Sequence, residues 1–203
     1  MTAYGVYLGI RFCLQHATGS GDLAGRHVAI DGVGKVGARL AVLLVTDGAR
    51  LSVCDINPEA TECIAEQCGA DVVDREKLLL LDADVVSPNA VGGILHSGIV
   101  SSLRCKVIAG AANNQLAHSG VGDELAARGI LYAPDFIVNA GGLIQVVDEL
   151  HRLGPSEERA KQQTEMIPDR LRRIVWMSDR HQISTERSAI KMARDRLDVA
   201  GRA

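Results

Sequence analysis

The stretch HVAIDGVGKVGARL, residues 27–40, constrains the fold more than any other part of the chain. An apolar run bounded by Gly25 and Gly32 predicts a buried strand over 27–30. Gly32, Gly34 and Gly37 follow in GxGxxG spacing. Val36, Leu40, Leu43 and Leu44 then recur at helical intervals, which predicts a helix from Gly34 to about Thr46. Each glycine has a physical task in such a turn. Gly32 permits the tight reversal, Gly34 lets backbone approach a diphosphate with no Cβ between, and Gly37 lets the helix pack closely on the sheet. The N–H groups that open the helix then face the anion. Three glycines also make an ordinary turn, so the flanking strand and helix are what give the spacing its meaning.

The same alternation runs along the chain. A helix is expected over residues 3–17, ended by Gly19 and Gly21. RLSVCD (50–55) reads as a strand, and PEATECIAEQCG (58–69) as a helix with Pro58 in its first turn. ADVVS (83–87), KVIAG (106–110) and ILYAPD (130–135) are strands; helices lie near 97–102 and over 121–129. Beyond that, residues 139–152, about 156–178 and about 184–197 are amphipathic and helical, with Ser184 or Thr185 capping the last. Strands alternating with helices imply a mostly parallel sheet covered on both faces, a doubly wound, Rossmann-like α/β fold with a helical C-terminal tail. We divide the chain into a dinucleotide-binding domain over residues 1–155 with an N-terminal helix, and a helical extension over 156–203.

Composition narrows the function. At 203 residues and 47% hydrophobic, the chain can bury a core without disulfides or metal, and no metal site is expected. A formal net charge of -3 gives no electrostatic case for nucleic acid or an anionic membrane, and 3% aromatics argue against a base-stacking platform. Five cysteines without CxxC spacing suit reduced thiols in a cytoplasmic protein. Met1 is followed by TAYGVYLGI, without the basic region or cleavage site of a signal peptide, and no apolar run is long enough to span a bilayer.

The residues of the turn, Gly32, Val33, Gly34, Lys35, Val36 and Gly37, are the first candidates for cofactor binding, although for Lys35 a solvated lysine is the favoured reading over a phosphate contact. Asp55 ends the second strand 18 residues beyond Gly37, near the spacing of a carboxylate that accepts hydrogen bonds from adenosine ribose hydroxyls. Ile56, Asn57 and Pro58 follow it, so a 2′-phosphate is expected to meet a carboxylate and no cation, which favours NAD over NADP. PNAVGG (88–93) and IAGAANNQLA (108–117) fall at the carboxyl ends of strands, where loops line the ligand crevice; asparagine turns are the plainer reading of the second. In YAPDFIVNAGG (132–142), paired glycines at a helix start imply that something approaches the backbone closely. Asn139 is a candidate substrate or nicotinamide contact or an N-cap, and Asp135 a turn residue.

Taken together, TAYGVYLGIR, GVGKVG, CDIN, AGAANNQLAHSGV and RGILYAPDFIVNAGGLIQVVDEL resemble the cofactor domain of the glutamate/leucine/phenylalanine/valine dehydrogenases, above all the bacterial branched-chain members. The resemblance implies an oxidoreductase that carries out reversible NAD-dependent oxidative deamination of an L-amino acid to a 2-oxo acid and ammonia, through an imine that water hydrolyses. It places Gly32, Gly34 and Gly37 at the pyrophosphate, Asp55 at the adenosine ribose, and Thr2, Ala90 and Asn113 near the nicotinamide half. Asn139 falls near both nicotinamide and substrate, and Leu143 and Val146 line part of a pocket sized for a small or branched side chain; core packing is the alternative for those two. Asn89 departs from the cysteine usual in the family's PCALGG loop. The family's amino-terminal substrate domain, with its glycine-rich segment, catalytic lysine and supporting aspartate, is expected to have no counterpart here, so no catalytic residue is assigned. A homo-oligomer is implied, with apolar surface left on the first and last helices. Three functions stay open: the cofactor part of a valine or leucine dehydrogenase, an NAD-binding module inactive by itself, and a stand-alone imine reductase.

Overall fold

The apolar run at 27–30 becomes the strand on which the sheet is built. The computed structural model describes residues 1–200. Helix α1 (Thr2–Thr18) leads into β1 (His27–Asp31), α2 (Lys35–Thr46), β2 (Arg50–Cys54), α3 (Pro58–Cys68), β3 (Asp71–Val72) and α4 (Arg75–Leu78). There follow β4 (Val85–Pro88), α5 (Ser97–Val100), β5 (Val107–Ile108), α6 (Gly120–Ala127), β6 (Leu131–Tyr132) and the short α7 (Asp135–Val138). Helices α8 (Gly141–Glu149), α9 (Glu157–Glu165), α10 (Ile167–His181) and α11 (Thr185–Ala200) complete the described chain.

The strands lie in the order β3-β2-β1-β4-β5-β6 and every pair is parallel. This is the doubly wound order in which ligands bind where the connections change direction, beside β1 and β4. β1 pairs on one side from His27↔Arg50 to Asp31↔Cys54, and on the other from Val28↔Val85 to Asp31↔Pro88. Asp31, Cys54 and Pro88 therefore end level, and the loops that leave them form one rim.

Alternate strand residues serve opposite faces. Val28, Ile30, Leu51 and Val53 join Val6, Ile10 and Leu14 of α1, Leu40 and Leu44 of α2, and Ile167 and Leu171 of α10 in one core. Ala29, Val86, Ile108 and Tyr132 face the other way, onto Leu78, Leu95, Val121 and Leu125. The tail packs on the sheet domain, α10 against α1 and α11 against α6 and β6. No described helix is long and apolar enough to cross a membrane.

Several local expectations change. The helix expected over 156–178 breaks at Met166, because Pro168 has no N–H to continue α9 and instead occupies the first turn of α10. Strand β3 and helix α4, four residues or fewer, were not anticipated. Ser184 caps α11, its Oγ accepting from the Arg187 N–H at 3.4 Å, while the Thr185 hydroxyl donates to the Tyr132 carbonyl at 2.6 Å. The first helix is covered rather than exposed: Val6, Ile10 and Leu14 are fully buried. Exposed apolar side chains run instead along α8 and its exit (Leu143, Val146, Val147, Leu150 and Leu153), with Leu197 on the last helix.

Candidate functional site

The glycine turn is held from three sides. Gly32 sits at φ +96, a left-handed conformation that a side chain resists, and its N–H donates to the Cys54 carbonyl at 2.8 Å. A Cβ on Gly32 would lie 2.8 Å from both the nitrogen and the Cβ of Ala90, so the loop after β4 rests on the turn. A Cβ on Gly37 would lie 1.9 Å from the Gly32 carbonyl oxygen, so helix and turn touch through bare backbone. Gly34 differs from both: a Cβ there meets nothing within 4 Å. It is also the N-cap of α2, with no side chain capping the helix. The N–H groups of the first helical turn lack partners within the helix and carry the positive end of its dipole. Such an uncapped, open helix start has the chemistry to receive an anionic group, and a side chain at position 34 would project into that space. Val33 and Val36 turn their side chains toward the core, and Lys35 is exposed.

Asp55 closes the other side of the turn. Its Oδ2 accepts from the Val33 N–H at 2.8 Å and its Oδ1 from the Asn57 N–H at 3.0 Å. The carboxylate thus fixes the turn and leaves lone pairs toward a cavity of about 600 Å³. Arg75 and Lys77 of α4 line that same cavity. The expectation that no cation stands near Asp55 is therefore corrected: two line its cavity, from a helix that follows a later strand. Asp31, buried at the end of β1, was also missed as a site residue. Its only sequence signal is an acid between an apolar strand and a glycine turn, which must find a partner once buried.

The second half of the rim is tied together by asparagines. The Asn139 amide donates to Asn113 Oδ1 at 2.7 Å and to the Ala111 carbonyl at 3.3 Å. Asn139 closes α7 and does not cap α8, whose N-cap is Ala140. Asn89 points inward, donating to the Ser87 carbonyl at 2.8 Å and accepting from the Ala111 N–H at 2.9 Å. It braces the loop after β4 against the loop after β5. Asn114 adopts φ +53, so an asparagine turn is present as well. The glycine pair at 141–142 has an internal explanation. A Cβ on Gly141 would lie 2.6 Å from the Met1 carbonyl oxygen, and one on Gly142 2.8 Å from Thr2 Oγ1. What approaches the backbone there is the start of α1, and it sets Thr2 against the start of α8. Leu143 and Val146 are 68% and 55% exposed, which removes core packing as their role.

The other reactive groups are quiet. Burial pushes the thiols of Cys13, Cys54 and Cys105 up to about 12, with Asp31 adding to the effect at Cys54. Asp135 is buried, accepting from the N–H groups of Phe136 at 2.7 Å and Gln115 at 3.1 Å, as a turn residue does. No lysine occurs between Lys106 and Lys161, the stretch that supplies Asn113, Asn139 and α8.

Comparison with known proteins adds the following. A family model described as Glutamate/Leucine/Phenylalanine/Valine dehydrogenase matches residues 51–200. Leucine dehydrogenase of Geobacillus stearothermophilus is 40% identical over 202 residues, covering 100% of this chain and 54% of that protein. Valine dehydrogenase of Streptomyces coelicolor is 42% identical over 203 residues, covering 98% of this chain and 55% of that protein. The crystal structure of L-tryptophan dehydrogenase from Nostoc punctiforme superposes with a TM-score of 0.92 at 38% identity, covering 97% of this chain and 59% of that one. The chain spans about half the length of the curated relatives it matches.

Proposed function

Because the chain belongs to the Glutamate/Leucine/Phenylalanine/Valine dehydrogenase family, we propose that it is the cofactor-binding part of an NAD-dependent branched-chain L-amino acid dehydrogenase. The observation that carries this is the open, uncapped start of α2 at Gly34, flanked by the carboxylate of Asp55. NAD, when bound, supplies the acceptor for a hydride from the substrate Cα. The chain's own residues bind and orient. The N–H groups after Gly34 hold the diphosphate, and Asp55 accepts from the adenosine ribose hydroxyls. Ala90, packed on Gly32, gives the nicotinamide half a surface without a long side chain. The Asn113–Asn139 pair presents fixed amide dipoles at the far end, beside Thr2 and Gly142. Residues 1–155 serve as the dinucleotide-binding unit and the extension from 156 as its helical tail; residues 201–203 of that extension lie outside the described residues.

Leu143 and Val146, on the outer face of α8, form one wall of a side-chain pocket whose size suits valine or leucine. That wall is completed by another part of the assembly, which we take to be a homo-oligomer. Deamination needs a general base to activate water and accept protons. With no lysine in the stretch that carries Asn113, Asn139 and α8, the described residues support cofactor binding without turnover by themselves.

Two assays test the two halves of this reading. Adding NAD and L-valine or L-leucine at alkaline pH and following the absorbance of reduced cofactor should give no sustained rate from this chain alone. A rate comparable to that of an ordinary dehydrogenase, on the order of 10 per second, would show that a base is present after all. Titration with NADH, read by its fluorescence, should give saturable binding, and a flat titration would remove the function altogether.

A further inference from the structure

Arg75 reaches the rim from α4, and its guanidinium is tied at one end only. Its Nε lies 3.3 Å from Asp31 Oδ1. Among the described residues its terminal nitrogens have no hydrogen-bond partner, and the side chain is 45% exposed. Asp31 is the unusual partner. Its side chain is 3% exposed, the Cys54 thiol donates to the same Oδ1 at 3.4 Å, and Oδ2 is buried with no partner. A carboxylate so buried beside a phosphate-binding turn repels an anion unless a cation balances it. Arg75 does so with Nε, the rest of its planar fork is unpaired among the described residues, and the residue lines the same cavity as Asp55. Lys77, the other cation there, is already paired with Asp74 at 2.8 Å.

We propose that Arg75, positioned by Asp31, is a built-in cation for a phosphate on the adenosine 2′-hydroxyl, and that Asp55 alone keeps this chain selective for the unphosphorylated cofactor. This rests on the reading of the turn as a dinucleotide site and adds which residues set cofactor choice. In the wild type Asp55 accepts from the ribose hydroxyls and repels a 2′-phosphate standing between the two side chains. Removing Asp55 exposes that phosphate to a bidentate donor that is already in place.

The test is a comparison of NADH and NADPH dissociation constants by fluorescence titration. Asp55→Ser keeps a hydroxyl acceptor near the Val33 N–H while removing the charge. We expect the wild type to prefer NADH and Asp55→Ser to bind NADPH roughly tenfold or more tightly than the wild type does, the scale of one charge-assisted hydrogen bond. Adding Arg75→Gln should abolish that gain while changing NADH affinity less than about threefold. Because Arg75→Gln alone leaves Asp31 buried without its cation, the combination with Asp31→Asn is measured beside it, with melting temperatures as a control on folding. That combination should lose the same gain. Unchanged NADPH affinity on losing Arg75, or equal loss of both cofactors, overturns the assignment while leaving the dinucleotide site intact. A wild type that binds neither cofactor overturns both.

Discussion

Gly34 and Gly37 stand three residues apart in one motif, and the structure gives them opposite responses to a methyl group. At Gly37 an added Cβ would sit 1.9 Å from the Gly32 carbonyl oxygen. A tolerable carbon–oxygen approach is about 3.3 Å, so the turn must open by roughly 1.4 Å against a backbone hydrogen bond to Cys54. The clash is with backbone, which cannot rotate away as a side chain can. Overpacking of this kind costs about 1–3 kcal/mol, the upper end applies here, and the better helix propensity of alanine offsets about 1 kcal/mol. Gly37→Ala should therefore lose about 1–2 kcal/mol of stability. Gly34→Ala meets nothing within 4 Å. Alanine is a poorer N-cap than glycine, so the exchange should cost about 0.5–1 kcal/mol, still less than at Gly37. Under the proposed function its effect falls on the ligand, because the methyl group projects into the open space assigned to the diphosphate. Urea denaturation, with the slope unchanged between variants, reads the first quantity. NADH fluorescence reads the second, and Gly34→Ala should weaken binding roughly tenfold or more. If Gly34→Ala is the less stable variant and binds NADH normally, the division of labour within the motif is wrong.

Two further outcomes follow from a half-buried acid and an exposed leucine. Burial, and after it the nearby Asp135 carboxylate, raise the Glu186 carboxyl above its ordinary range, so the native state holds that proton more tightly than the unfolded chain does. Stability is then lost as the pH rises past the ordinary glutamate value, because ionising Glu186 in its half-buried place beside Asp135 costs more in the native state than in the unfolded chain. Glu186→Gln should raise the melting temperature at pH 8, with the advantage vanishing as the pH falls below the ordinary glutamate value of about 4.3; a constant effect across that range contradicts the assignment. Leu143→Asp should move the melting temperature by no more than about 2 °C, since the side chain is 68% exposed. A loss of more than about 5 °C returns Leu143 to the core.

What the sequence made legible is what carries period and punctuation. The run at 27–30, the glycine turn and the helix after it were readable because burial on both faces of a strand and one face of a helix leaves a pattern. Strand β3, two residues long, has no pattern to leave: Asp71 and Val72 are both exposed, and pairing with β2 alone makes them a strand. The break at Met166 had its signal in Pro168, which an otherwise continuous polar and apolar alternation concealed. At the site, Asp55 was found by its distance from the turn, whereas Arg75 reaches the same cavity from across another strand connection. The glycine pair at 141–142 was rightly read as a place of close approach, but the approaching group is the chain's own α1, 140 residues earlier.

Everything proposed for this chain rests on backbone amides at the start of α2 receiving a diphosphate. Calorimetric titration of NADH into the wild-type chain and into Gly34→Val measures that most directly. The account predicts one site per chain in the wild type and no detectable heat in a variant that melts like the wild type. Equal binding by both proteins, or none by either, would contradict it.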